Sequence, residues 1–423
     1  MRILKCILKW CMVTVFLLSA TFIVIFLQEE DLRRVPAIER IQTEVPIKTI
    51  NNWDEYRTLR LNANKNLSNL GKILYLGESF QPQQIDRKYK ILIWKYGKFL
   101  ERRHLQHFKN KLFDPFEKCS VKNCVITYND TELKSADLII IHLQWVKGRH
   151  ELPLQKRKKD QFWAFLTDES PYHTFGNNNV HLRDFNGVFN WSMTYRMDSD
   201  IPVPYGRTLP LRDNERTEFD FEKWNANRKQ DVLIAILSSN CYPINHRWGY
   251  VNELSKYIRV DTYGGCGKLK CDNKFYYGLD CSLVSNYKFY LSFENSNCNE
   301  YITEKVWWQA YHKENIPIVM GSSKDTYKRL LPPESYLNVE DFASPKALAD
   351  YVLYLNRTPS VLKNFFNWKR KFKVVNEHGY FATDSYHYCR ACEALNYNEK
   401  NYKSYNDLDI FWSTNDCHPR WDS

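Results

Sequence analysis

Two short stretches concentrate the side chains that bond-making chemistry needs. In "FENSNCNEYITEK" (residues 293–305) an apolar run turns abruptly polar. Glu294, Asn295, Asn297, Asn299, Glu300, Thr303, Glu304 and Lys305 follow within a dozen residues. Carboxylates, amides and an ammonium this close can form the wall of a polar pocket; the plainer reading is a solvated turn. In "TDESPYH" Asp168 and Glu169 end another apolar run. A carboxylate there can take a proton from a sugar hydroxyl as general base, or simply cap a turn. A third stretch, "SSNCYPINHR", offers Asn240, His246 and Arg247. A guanidinium can grip a phosphate through two N–H groups. Taken alone, Arg247 and Lys305 each read as surface cations on a helix.

Other chemistries lack their marks. The sequence has no GxGxxG, no Walker A loop, no zinc-type His cluster and no GxSxG elbow. Asp198 and Asp200 in "YRMDSD" mimic the Asp-x-Asp of metal-dependent sugar transferases. A metal role is discounted, because the motif is short and Arg247 and Lys305 can neutralise a diphosphate without an ion. Cys389 and Cys392 form a CxxC that would read as zinc or redox chemistry in the cytosol and as disulfides in an oxidising compartment.

The elements that must position these residues are strands and helices in alternation. "YKILIWKYG", "ADLIIIHL" and "QFWAFLTDES" read as buried strands, and residues 187–195 add one or two more. After a charged segment, "DVLIAILSS", "IRVDTYG", "YKFYLSFE", "IPIVMG" and "YLNVED" form a second series. "WGYVNELSKY", "YITEKVWWQAYH", "KDTYKRLL" and "PKALADYVLYLN" are the intervening helices. This alternation predicts an α/β fold with two doubly wound, Rossmann-like domains facing a cleft. It places Glu294 and Asn295 at a strand's carboxyl end, with Glu304 and Lys305 in the first turns of the next helix. Ligands bind at that edge in such sheets, and a helix N-terminus beside a Lys suits a diphosphate. "SVLKNFFNWKRKF" reads as a further helix.

The chain's ends and composition locate this machinery. Residues 10–27 carry no charge, follow Arg2, Lys5 and Lys9, and precede Glu29, Glu30 and Asp31. That predicts a transmembrane signal anchor with a cytoplasmic tail (1–9) and everything after it across the membrane. Residues 28–88 read as a stem, 89–210 as the first domain, 211–230 as a linker, 231–375 as the second domain, and 376–423 as a tail. Ten of the twelve cysteines lie beyond the anchor, as do sequons at Asn66, Asn129, Asn190 and Asn356. The net charge of +11 fits an anionic partner. On the lumenal side nucleic acid is excluded, and a phosphorylated small molecule remains.

The same residues carry a resemblance. "YKFYLSFENSNCNEYITEKVW", "IPIVMG", "TDESPYH", "FNWSMTYRMDSDIPVPYG", "SSNCYPINHRWGYVNELSKYIRVDTYGGCG", "FFNWKRKF" and "CRACEAL" resemble the α1,3-fucosyltransferases of glycosyltransferase family 10, over about residues 90–395. The cysteine pattern looks most like invertebrate Golgi members. The resemblance implies a GT-B architecture and inverting transfer of L-fucose from GDP-β-L-fucose to O3 of N-acetylglucosamine. It implies a glycoprotein glycan as acceptor, either the N-glycan core or a LacNAc or LacdiNAc antenna, and the sequence does not choose between them. It implies Glu169 as catalytic base, Arg247 and Lys305 as cations facing the diphosphate, and Asn240, Tyr263, Glu294, Asn295, Tyr301 and Glu304 around the donor. It further implies no obligatory metal or cofactor, with Mn2+ stimulatory, and the disulfides Cys119–Cys389 and Cys124–Cys392, which return the tail to the first domain. The pairing of Cys241, Cys266, Cys271, Cys281, Cys298 and Cys417 stays open. Two rivals share the scaffold, a protein O-fucosyltransferase and an inactive glycan-binding homologue. The presence of Glu169, Arg247, Glu304 and Lys305 together argues against the inactive one.

Overall fold

The computed structural model describes residues 52–418 apart from 64, 85, 96, 110, 176–178, 217, 272–278 and 402. The apolar run at 10–27 lies outside the described residues, among which no helix is long and apolar enough to cross a membrane. In the first half, short aliphatic and aromatic runs form β1 (Tyr89–Ile93), β2 (Cys124–Thr127), β3 (Leu138–His142), β4 (Phe162–Thr167), β5 (Trp191–Thr194) and β6 (Ile201–Pro202). They make one parallel sheet in the order β2-β1-β3-β4-β5-β6. Every residue of β3 is buried, as the "LIIIH" run requires of a strand covered on both faces.

β7 (Gly206–Pro210) leaves that sheet, and the second half builds its own. β8 (Ile234–Leu237), β9 (Val260–Tyr263), β10 (Phe289–Phe293), β11 (Ile316–Met320) and β12 (Leu337–Asn338) are parallel, in the order β12-β11-β10-β8-β9. The series starts at β8 and grows to both sides of it. The gap between the carboxyl ends of β8 and β10 is therefore a topological switch point, the place where open α/β sheets bind ligands. Helices cap in the expected way. Ser344 accepts from Ala347 N ahead of Pro345–Arg357, and Ser323 from Thr326 N ahead of Lys324–Leu330.

Two glycines are dictated by close approach. A Cβ on Gly206 would lie 2.5 Å from the Trp307 ring and from the Val375 carbonyl oxygen. One on Gly321, whose φ is +150°, would lie 2.9 Å from the Glu294 side chain.

The structure differs from the sequence reading at the margins of the two sheets. Part of the expected stem is folded into the body. Helix Trp53–Leu61 places Arg60 and Tyr56 against the second half, where Arg60 Nε donates to the Arg329 carbonyl at 3.0 Å and Tyr56 to the Leu331 carbonyl. Helix Asn69–Leu76 buries Leu70 and Leu74, an i,i+4 pair, in the first-half core. The expected linker contains helix Phe221–Ala226, which buries Phe221 and Trp224 in the second core. The expected helix at 360–372 is a short α-helix (Pro359–Leu362) and 3-10 turns (Lys363–Arg370), followed by β13 (Phe372–Asn376). β13 pairs antiparallel with β7 and so joins the two ends of the second half. In the tail, helix His387–Tyr397 packs on β1 and β6.

Candidate active site

Glu169 stands two residues past the end of β4, with part of its side chain open to a cavity of about 290 Å³ between the two sheets. Tyr301 Oη, from the second half, donates to Glu169 Oε2 at 3.0 Å. Burial raises the Glu169 pKa above its ordinary value, and the Tyr301 hydrogen bond and the Lys305 charge offset only part of that. The effect is a carboxylate that is a better base than an exposed one, already aimed by a hydrogen bond. Ser296 Oγ, in the loop after β10, lies 2.7 Å from Ser170 Oγ, so the halves are also joined one residue from the base.

Across the cavity the switch point carries the cations. Arg247 opens helix Arg247–Leu254 and spans the ends of β8 and β10. Its Nη1 donates to the Phe293 carbonyl at 2.7 Å, and its Nη2 to Ser238 Oγ at 2.5 Å and the Asn240 carbonyl at 3.0 Å. The Nε–H has no hydrogen-bond partner among the described residues. Arg247 is thus a brace as well as a cation, and burial lowers its pKa.

Lys305 sits in the first turn of Glu304–Val306, capped by Thr303 and continued by the π-helix Trp307–His312. Its Nζ donates to Thr303 Oγ1 at 2.9 Å and Glu304 Oε1 at 3.0 Å, and lies 3.2 Å from Glu294 Oε2. Burial opposes the Lys305 charge, but Glu294 and Glu304 outweigh it and raise the pKa. Glu294 is wholly buried, accepts from Thr303 N at 2.8 Å, and has its pKa raised by burial. A fixed cation pair beside a short helix start can hold a diphosphate, and the carboxylate opposite can take a proton.

Of the residues singled out in the sequence, Glu169, Asn240, Arg247, Asn295, Tyr301, Glu304 and Lys305 line this one cavity. Glu294 lies behind the wall, holding Thr303 and Lys305. Tyr263 is buried on β9, with its hydroxyl 2.8 Å from that of Tyr287, outside the lining of this cavity. His246 is exposed at the helix start with φ of +56°. Sequence reasoning missed Tyr205, Tyr290, Gln309, Tyr380 and Phe381, which line the cavity together with Leu237, Ser238 and Ser239 at the end of β8. Tyr205 lay in the recognised "VPYG", whereas "EHGYFATDS" carries no signal of its own.

Asp198 is held by Arg196 (2.7 Å) and Lys65 (3.5 Å), and Asp200 by Ser192 and Lys403. Both are committed within the fold and neither lines the cavity. Cys119 joins Cys389 and Cys124 joins Cys392, the pairs that the resemblance implies. The open six pair as Cys241–Cys266, Cys271–Cys281 and Cys298–Cys417. Among the sequons, Asn66 and Asn129 are exposed and Asn356 is half-buried, with its Oδ1 accepting from Lys288. Asn190 is a correction. It is completely buried, and the Nδ2 that a glycan would modify donates to the Lys403 carbonyl at 2.7 Å.

Comparison with known proteins agrees with this layout. Residues 86–206 match the N-terminal fucosyltransferase domain, and residues 226–411 the C-terminal domain of glycosyltransferase family 10 (fucosyltransferase). The chain is 34% identical over 297 residues to glycoprotein 3-alpha-L-fucosyltransferase A of Drosophila melanogaster, covering 70% of this chain and 55% of that one. It therefore spans little more than half the length of that relative. It is 32% identical over 329 residues to 4-galactosyl-N-acetylglucosaminide 3-alpha-L-fucosyltransferase 9 of Bos taurus, covering 76% and 81%. A crystal structure of an α1,3-fucosyltransferase aligns with 79% of this chain and 99% of its own, at 18% identity and a TM-score of 0.46. With both domains matched in order, the chain belongs to the glycosyltransferase family 10 fucosyltransferases.

Proposed function

We propose that the protein transfers L-fucose from GDP-β-L-fucose to O3 of an N-acetylglucosamine in a glycoprotein glycan, with inversion at the anomeric carbon. One observation carries the reading. A half-buried carboxylate at the carboxyl end of β4 and two cations at the β8–β10 switch point face one cavity from opposite sides. That is the arrangement a single displacement needs. Glu169 takes the proton of the acceptor O3 as the oxygen attacks the anomeric carbon. The bond from that carbon to the diphosphate oxygen breaks, and its electron pair leaves with GDP toward Lys305 and Arg247.

Asn240, Asn295, Tyr301 and Glu304 line the same space and contact the donor. The two sheets correspond to the halves of a GT-B enzyme, with the donor on the second. Residues 10–27 anchor the chain in the Golgi membrane with the catalytic part in the lumen. Catalysis needs no metal, and added Mn2+ is stimulatory. Incubating a secreted fragment that starts at residue 52 with GDP-fucose and a panel of core and antennal glycans tests the reading. Fucose appearing on GlcNAc O3 supports it; no product on any acceptor contradicts it.

A further inference from the structure

Asp168 precedes the proposed base in the chain, yet its side chain is engaged elsewhere. Its Oδ2 accepts from Arg103 Nη1 at 2.5 Å, and its Oδ1 from His387 Nε2 at 3.0 Å. Both members of the Arg103–Asp168 pair are buried. Arg103 Nε also donates to the His378 carbonyl at 2.9 Å, and its guanidinium lies 4.1 Å from the centre of the Tyr380 ring. Tyr205 donates to the Asp168 carbonyl at 2.9 Å and stacks on His378 with centroids 3.4 Å apart. The pair therefore ties together helix Gly97–His104, the end of β4 and the stretch 377–387. Tyr205 and Tyr380 line the cavity that holds Glu169.

Donor atoms of Asp168, His378 and His387 all lie within 4.8 Å of one another, close enough to hold a metal ion. Arg103 already balances the carboxylate, so a divalent ion would bring uncompensated positive charge into a buried site. Burial also lowers the pKa values of His104, His378 and His387, and holds that of His142 at about 4. Arg103 and Asp168 form the ion pair at the heart of the cluster.

We propose that Arg103 and Asp168 are positioning residues for Glu169, fixing its backbone at the end of β4 and balancing the charge beside it. This rests on Glu169 being the base. If so, the two charges act on Glu169 with opposite sign. Other groups face Glu169 from the second half, namely Tyr301, Glu304 and Lys305. Tyr195, Tyr205 and Tyr380 face it from the remaining segments. Of these, Tyr380 lies against the Arg103 guanidinium and Tyr205 donates to the Asp168 carbonyl, while all six residues are themselves unchanged in every variant.

The test is the pH profile of kcat/KM for fucosyl transfer from GDP-fucose. Asp168→Asn leaves the Arg103 charge unbalanced, stabilises the Glu169 carboxylate, and moves the acid limb to lower pH. Arg103→Gln leaves the Asp168 anion unbalanced and moves the limb to higher pH. Combining the two returns it toward the parent. In each single variant kcat falls on the order of 10- to 100-fold from misplacement, with the KM for GDP-fucose changed less than threefold. Arg103→Lys keeps the charge but loses the bond to His378, so its limb stays in place while kcat falls. If Arg103→Gln does not fold, Asp168→Asn and Arg103→Lys decide. Limbs that stay fixed in Asp168→Asn, or move the same way in both charge variants, overturn the proposal. Glu169→Gln is run alongside. If it retains transfer, the assignment of the base has failed, and the positioning claim with it.

Discussion

Glu377 is a buried carboxylate outside the cavity, held by two guanidinium groups. It follows β13 and accepts from Arg207 Nε at 3.0 Å and Nη2 at 2.6 Å, and from Arg390 Nη2 at 3.0 Å. Burial alone would raise its pKa, but Arg207 and Arg390 outweigh burial and hold it at about 2 against an ordinary 4.5. A folded-state pKa below the unfolded value stabilises the fold above pH 4.5, and that stability is lost as pH falls toward 2. At 1.36 kcal/mol per pH unit, the interval from 4.5 to about 2 is worth about 3 kcal/mol. Glu377→Gln removes it and takes the carboxylate from Arg207, while Arg390 keeps that of Glu393 at 2.6 Å. With an unfolding entropy near 2.1 cal/mol/K per residue over the folded chain, a loss of about 3 kcal/mol lowers Tm by about 4 °C. The assay is thermal unfolding of the disulfide-intact fragment at one scan rate, at pH 7 and near pH 3. The deficit is full at pH 7, and more than half of it is gone near pH 3, where the parent has also lost the contribution. Equal midpoints at pH 7, or a deficit that does not shrink in acid, would refute the reasoning.

Three further outcomes follow from the geometry. Tyr301→Phe removes a charge-assisted hydrogen bond to Glu169 worth about 1.5–3 kcal/mol. The carboxylate becomes easier to protonate, so kcat/KM on the acid limb falls about 10- to 100-fold while the alkaline plateau changes only a few-fold. An acid limb that does not move toward higher pH contradicts the role given to Tyr301. Leu70→Ala destabilises the fragment by about 2–5 kcal/mol in denaturant unfolding, because Leu70 is wholly buried, whereas a stem would tolerate the change. Glycopeptide mapping of the secreted protein finds glycan on Asn66 and Asn129 and none on Asn190; an occupied Asn190 contradicts the packing described around it.

What the sequence could show followed from how locally each feature is encoded. Buried parallel strands are continuous apolar runs, so β1, β3, β4, β8, β10 and β11 stood out. β2 did not, because it is four residues long at the sheet edge with Val125 half-exposed. β7 and β13 did not, because their pairing joins residues more than 160 positions apart in a charged, Lys- and Arg-rich setting. The same contrast runs through the site. Glu169 and the 293–305 loop were legible because a strand ends and polar residues begin within one motif. Tyr205, Tyr380 and Phe381 reach the cavity only through the tertiary course of β7, β13 and the loop after it. Tyr263 stood out through its motif, and it lies on β9, an edge strand, with its hydroxyl beside that of Tyr287.

The central claim is that donor holding and proton removal are divided across the cavity, and one paired measurement on Glu169→Gln tests it. Fucosyl transfer and GDP affinity are measured on the same preparation, by product formation and by calorimetry. The account predicts transfer lowered by at least about a thousandfold, somewhat less than the loss of a residue acting in nucleophilic catalysis, with GDP affinity within about threefold of the parent. A variant that keeps most of its transfer rate, or that loses GDP binding in parallel with transfer, would contradict it.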